Sequence, residues 1–219
     1  MQEFIEIPAT KRSLSSRTLL CGIGINDAEY MVHPKIKGVR SVCPFYQVWA
    51  NMIKRSYSDK TQSRQPTYLD CSVSEEWHRF SNFKAWMEKQ DWQNKFLDKD
   101  IISPLNKEYS PLNCVFVSRS VNNILTDSAA NRGLLPKGVC YEKDSGKYIS
   151  TCFVNGRQKK IGRFGSISEA EAAYLSFKSD LVESIAETQE DRIKTGLFRH
   201  SKIMRDRIRD IKQEYNFQN

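Results

Sequence analysis

Seven cations crowd one stretch of this chain of 219 residues. Lys137, Lys143, Lys147, Arg157, Lys159, Lys160 and Arg163 lie between Gly133 and Gly165, opposed there by Glu142 and Asp144 alone. Ammonium and guanidinium groups at this density attract phosphates whatever the base sequence. The whole chain carries a formal charge of +8, which fits an anionic partner, with nucleic acid the commonest. The six cysteines, at 21, 43, 71, 114, 140 and 152, form no CxxC pair, so no zinc site is expected and most thiols are read as small core residues. Cys71 and His78 are the one Cys/His pair close in sequence, a weak candidate for a metal.

The basic stretch needs elements to hold it. Asn155-Gly156 is a two-residue hairpin signal between Tyr148–Val154 and Lys159–Phe164, and Asp144-Ser-Gly146 makes the preceding turn. Ser168 with Glu171 predicts a capping box, after which Ala170, Ala173, Tyr174, Phe177 and Leu181 recur at helical spacing. Period-two alternation then sends Ser150 and Cys152 towards the helix and Thr151 and Phe153 to the open face. That face, flanked by Lys143, Lys147, Lys159, Lys160 and Arg163, with Arg157 beside the turn, is expected to enter a DNA major groove. Read without a groove, it is a basic sheet surface or a protein-binding face.

The same stretch, residues 138 to 178, resembles the Apetala/ethylene-response-factor (ERF) type of DNA-binding domain. The Gly138-Val139 opening, Gly146-Lys-Tyr148, the Ile161-Gly-Arg-Phe164 strand end and the alanine-rich helix carry the likeness. It implies a three-stranded antiparallel sheet packed on one helix and binding to double-stranded DNA. Where that family reads bases with arginines, this chain has Cys140, Glu142, Thr151 and Phe153, so the family's sequence preference does not carry over.

Upstream, Phe96 to Thr126 reads FLDKDIISPLNKEYSPLNCVFVSRSVNNILT. Leu97 to Ile102 alternates apolar and charged residues, and Cys114-Val-Phe-Val117 is β-branched and aromatic, so both predict strand. Pro104 and the segment Tyr109 to Asn113 are turn chemistry. Ser118 or Ser120 predicts an N-cap for a helix with Val121, Ile124 and Leu125 on one face. Strand, loop, strand and helix follow one another in about thirty residues.

That order, with L-D-x-D and Y-S-P-x-N-C-x-F-V, resembles the ββα-metal unit of HNH endonucleases, in particular phage and homing-type members. Proteins of that kind frequently carry the ERF-like module after the nuclease unit, so the two likenesses agree. The resemblance implies a metal-dependent DNA endonuclease. In it one Mg²⁺ is held between an acid near the first strand and an Asn or His of the helix, and a base at the strand end activates water. Asp98 and Lys99 take the positions where active members commonly carry histidines. Asn113 matches the central asparagine, and Asn122 or Asn123 the helix ligand. The implied catalytic set is therefore Asp98, Lys99, Asn113 and Asn123, and the implied metal set is Asp98, Asn122 and Asn123. No histidine lies between His78 and His200. Read without the family, these are solvated charges at a strand end and asparagines bonded within a helix. Three functions stay open: nuclease, nuclease-inactive DNA-binding regulator, and phage inhibitor or adaptor acting on a host protein.

The remaining chain supports these parts. Residues 1–18 read as a polar arm, docked loosely or flexible. Leu19 to Ile25 holds a bare GxG, expected to pack on the following helices. Pro44 opens a helix carrying Phe45, Trp49 and Met52, and Ser74 opens a second one carrying Trp77, Phe80, Phe83 and Met87. A boundary is expected near 132, after a hinge with Asn131, Gly133 and Pro136. The expected domains are 19–131, HNH-like, then 132–182, ERF-like, then 183–219, a basic helical tail broken near Gly196 that tracks phosphate, self-associates or is simply solvated. The fold class expected is α+β: a ββα-metal-like unit with supporting helices, a three-stranded antiparallel sheet on one helix, and a helical tail. A mean hydropathy of −0.59 and no apolar run near 18 residues predict no membrane partner. With no secretory signal in the N-terminal residues, an intracellular location is expected, the bacterial host cytoplasm for a phage protein.

Overall fold

The computed structural model describes residues 4–126, 134–154 and 156–216, residues 215 and 216 by backbone alone. The chain is mixed α+β and divides into two compact units, residues 1–117 and 118–219. The boundary expected near 132, with Asn131 and Gly133, lies outside the described residues, as does Asn155 of the hairpin turn. Among the described residues no helix is long and apolar enough to cross a membrane.

In the first unit the elements are α1 (Lys11–Ser15), the hairpin β1 (Lys35–Ile36) and β2 (Val39–Arg40), α2 (Pro44–Tyr57), α3 (Asp59–Arg64), β3 (Ser72–Val73), α4 (Phe80–Met87), β4 (Phe96–Asp98), β5 (Glu108–Tyr109) and β6 (Val115–Val117). Strands β4 and β6 pair antiparallel, Leu97 opposite Phe116, while β5 pairs parallel with β3. The aromatic stripes of α2 and α4 form the core, in which Trp49, Trp77, Phe80 and Phe83 are wholly buried and Trp86 stacks on Phe116 of β6. Burying each such ring contributes roughly 1.5–3 kcal/mol, which is why the short strands hold. Gly24 lies against this core, since a Cβ there would meet the Trp49 ring at 3.0 Å. The GxG is thus a packing feature, as its weak motif value implied.

Two expectations change here. The helix expected from Ser74 is interrupted: Glu75–His78 form one 3-10 turn before α4 begins at Phe80. Ile25 donates its N–H to the His78 carbonyl and Phe80 donates to the Ile25 carbonyl, so Arg79 is drawn extended between the two. The arm is docked from residue 4 onward. Arg17 donates to the carbonyls of Asn26, Ala28 and Tyr30, and Met31 donates to the Ile7 carbonyl.

The second unit holds α5 (Arg119–Leu125), β7 (Val139–Glu142), β8 (Lys147–Val154), β9 (Arg157–Phe164), α6 (Ile167–Ala186) and α7 (Asp191–Asn216). The sheet runs β7-β8-β9, antiparallel throughout, and packs on α6. Ser118 caps α5 through Val121 N–H. The capping box of α6 is Ser166 with Glu169, two residues before the pair read from sequence, because the chain turns at Gly165 and Ser166 is the last extended residue. Gly138, at φ +77°, has no room for a side chain: a Cβ would stand 2.1 Å from the Tyr174 ring. The tail breaks between Ala186 and Asp191, while Gly196 is buried inside a continuous α7. Arg205 reaches Asp180 and Glu183, and Arg207 reaches Glu171, so α7 runs antiparallel to α6.

Candidate nucleic-acid interface

Register decides which side chains share a face. In β8, Ser150 and Cys152 are buried towards α6, while Phe153 is 67% exposed on the opposite side. Antiparallel partners point the same way, so Thr151 brings Lys160 to the open face, Phe153 brings Gln158, and Ile149 brings Cys140 and Arg163. Glu142, opposite Lys147, joins them. A register irregularity at Ser150/Thr151 sets Ile161 out of step, which keeps Lys160 and Arg163 both on this side. The open face thus carries Lys147, Lys160 and Arg163 around Thr151 and Phe153, with Lys143 exposed in the adjoining turn.

Arg157 and Lys159 take the other side. Arg157 lies opposite Val154, and Lys159, opposite Cys152, sets its Nζ 4.8 Å from the Phe177 ring of α6. Period-two reasoning applied to β8 alone could not assign β9, because its phase depends on the irregularity. Arg163 is also partly engaged, donating to Glu142 Oε1 at 2.8 Å. The Ser145 hydroxyl, together with that bond, holds the half-buried Glu142 carboxyl below its ordinary range.

The residues matched to the HNH likeness fall in different units. Asp98, Lys99 and Asn113 belong to the first; Asn122 and Asn123 lie on α5 of the second. Asp98 closes β4: its Oδ1 accepts the N–H groups of Asp100 and Ile101, both at 2.8 Å. Burial raises its carboxyl above the ordinary value, with the Ile101 N–H pulling the other way. Lys99, 5% exposed, donates to Asp100 Oδ1 at 2.6 Å and to the Asn106 carbonyl at 3.0 Å. Asn113 donates to Asn106 Oδ1 and Glu108 Oε2, each at 3.3 Å.

Asn106, which the sequence reading passed over, is the hub. Its Nδ2 also donates to the Lys99 and Glu108 carbonyls, and its Oδ1 accepts the Glu108 N–H. An Asn two residues before a strand is an Asx-turn signal that could have been noticed. As a site for Mg²⁺ this cluster fits poorly. Asp98 Oδ1 is taken by two backbone N–H groups, and Asp100 is paired with the Lys99 ammonium.

Among the described residues, no group of three or more His, Cys, Asp or Glu side chains is placed to hold a metal ion. Of the Cys71/His78 pair, His78 Nε2 meets the Val73 carbonyl at 3.0 Å and the Cys71 thiol faces the Thr67 carbonyl at 4.0 Å. Cys114 is wholly buried, and burial pushes its thiol up to about 12, so it is inert core. Comparison of the chain with protein-family models, with curated proteins and with solved structures finds no match in any of the three.

Proposed function

We propose that the chain binds double-stranded DNA through the open face of the β7-β8-β9 sheet and does not cut it. The observation that carries this reading is the register that gathers Lys147, Lys160 and Arg163 on one face around the exposed Phe153. The ammonium and guanidinium groups bind phosphates. Phe153 and Thr151 offer apolar and hydroxyl contacts to base edges or sugars. Cys140 and Glu142 on the same face give no reason to expect the base preference of ERF proteins.

The nuclease reading requires a base where Lys99 stands and a divalent cation on Asp98. Lys99 holds its ammonium against a carboxylate and a carbonyl, and Asp98 spends one oxygen on the turn after β4. A group that is already donating both ways is not available to take a proton from water. The reading of a retained scaffold, a nuclease-inactive DNA-binding regulator, follows.

Fluorescence anisotropy on a labelled duplex, with supercoiled plasmid incubated in parallel in Mg²⁺, Mn²⁺ or EDTA, separates the possibilities. Salt-dependent binding with the plasmid left intact is expected. Metal-dependent nicking that disappears in Asp98→Ala would restore the endonuclease. Absence of binding at low salt would leave the sheet as a protein-docking face, the adaptor reading.

A further inference from the structure

The second unit contains a cavity of about 900 Å³ that DNA binding does not explain. Its size lies in the range of roughly 300–1,000 Å³ usual for small-molecule sites. Helix α6 lines it with Tyr174, Lys178, Leu181 and Ile185, at i, i+4, i+7 and i+11, which form one stripe along the helix. Ile124 of α5 closes it from another element. The lining mixes these apolar groups with Ser120, Asn123, Thr126, Thr151 and Gln158, and one charge in it lacks a counterpart among the described residues. Lys178 is 6% exposed, and among the described residues its Nζ has no hydrogen-bond or ion-pair partner. The other lysine of the lining, Lys137, is differently placed: its Nζ donates to the Leu125 and Thr126 carbonyls at the end of α5.

A mostly buried cation without a counter-charge is costly even where its Nζ still opens onto the cavity, and burial holds the Lys178 ammonium below its ordinary range. Had the chain needed only to fill this space, methionine would pack as well without the cost. A bound anion would supply the missing partner. A phosphate would need several charged donors. Of the polar lining, Thr126 donates to the Asn122 carbonyl and Gln158 to the Thr151 hydroxyl, and among the described residues Lys178 is the one cation left to a ligand, which matches a single carboxylate on an apolar body.

We propose that this cavity is a binding site for a small hydrophobic carboxylate, with its carboxylate on Lys178 and its apolar body against Leu181, Ile185 and Ile124. The cavity reaches Cys140, Thr151, Phe153 and Gln158 of the open face, but the carboxylate site on Lys178, Leu181, Ile185 and Ile124 uses none of the sheet's cations, so its test is run without DNA.

The test uses octanoate and octan-1-ol as probes on the full chain without DNA, by isothermal titration calorimetry. Octanoate should bind saturably and at least about tenfold more tightly than octanol, as a charge-assisted bond to a desolvated ammonium requires. Lys178→Met, which keeps length and apolar bulk, should remove that preference and leave octanol unchanged. Equal binding of the two probes, or octanoate binding unaltered by the substitution, overturns the proposal. The wild-type protein gives a second reading that does not depend on the variant folding. With ¹³C-labelled lysine, the Lys178 Cε resonance should shift on saturation with octanoate and stay in place with octanol. No shift with octanoate also overturns it.

Discussion

Asp98 turns its Oδ1 back on its own chain, and that decides what its substitution should do. Asp98→Asn keeps an oxygen for the N–H groups of Asp100 and Ile101, whereas Asp98→Ala strands both donors, at a cost of roughly 1–3 kcal/mol. Because burial raises the folded-state pKa, this carboxyl contributes stability that is fully present below its ordinary value of 3.8. That contribution is lost as pH rises through the folded value. Urea melts at pH 4 and pH 7 should show Asp98→Asn at least as stable as wild type at pH 7 and less sensitive to pH. An Asn variant as damaged as the Ala variant would mean that the charge itself matters.

On the sheet, Lys160→Ala should reduce the slope of log K against log salt by about 0.9 if the ammonium meets one phosphate. Phe153→Ala should weaken binding without moving the slope. Glu142→Gln releases Arg163 from its partner and should tighten binding by about two- to fivefold, the range of an exposed ion pair. Anisotropy titrations at several salt concentrations read all three. Weaker binding in Glu142→Gln would show that Arg163 needs its carboxylate to be positioned.

At the scale of the element, the junction of sheet and α6 leaves no room at Gly138. Gly138→Ala would set a methyl into the Tyr174 ring at a positive φ, so a loss of roughly 1–3 kcal/mol is expected from overpacking, with backbone strain added. Ser166→Ala removes one half of a capping box and should cost about 1 kcal/mol, whereas Ser168→Ala should be near neutral. Denaturant midpoints distinguish these. Equal costs at 166 and 168 would return the cap to the position inferred from sequence. Three cations of α7, Lys194, Arg205 and Arg207, are engaged within the unit, on Glu187 and on Asp180, Glu183 and Glu171 of α6. A phosphate-tracking role for the tail draws no support from them.

For the whole molecule, the division at 117/118 assigns α5 to the sheet unit. Lys137 ties the end of α5 to the strand that follows, and Ile124 closes the cavity beside α6. A fragment of residues 118–219 should therefore fold alone and keep a sizeable share of the DNA affinity. A fragment starting at 132 should melt at lower temperature. Circular dichroism and anisotropy on the two fragments check this. Equal melting temperatures would show that α5 contributes nothing to this unit.

Patterns of period two and 3.6 in this chain determine the α+β class, the strand at 115–117, the aromatic core of α2 and α4, and the two faces of β8, whereas the strand read over 97–102 ends at Asp98, where its side chain caps a turn. All of these rest on local alternation and on burial of large apolar groups, and both are written in the order of residues. Three things are decided by tertiary structure. The phase of β9, and with it the side on which Lys159 lies, follows from an irregularity in strand pairing that no local pattern encodes. Lys99 is buried because Asp100 and Asn106 come round to meet it, although a lysine beside two acids at a strand end reads as solvated. Lys178 reads in sequence as one more surface cation of an alanine-rich helix. Only the approach of α5 and the sheet from other parts of the chain encloses it.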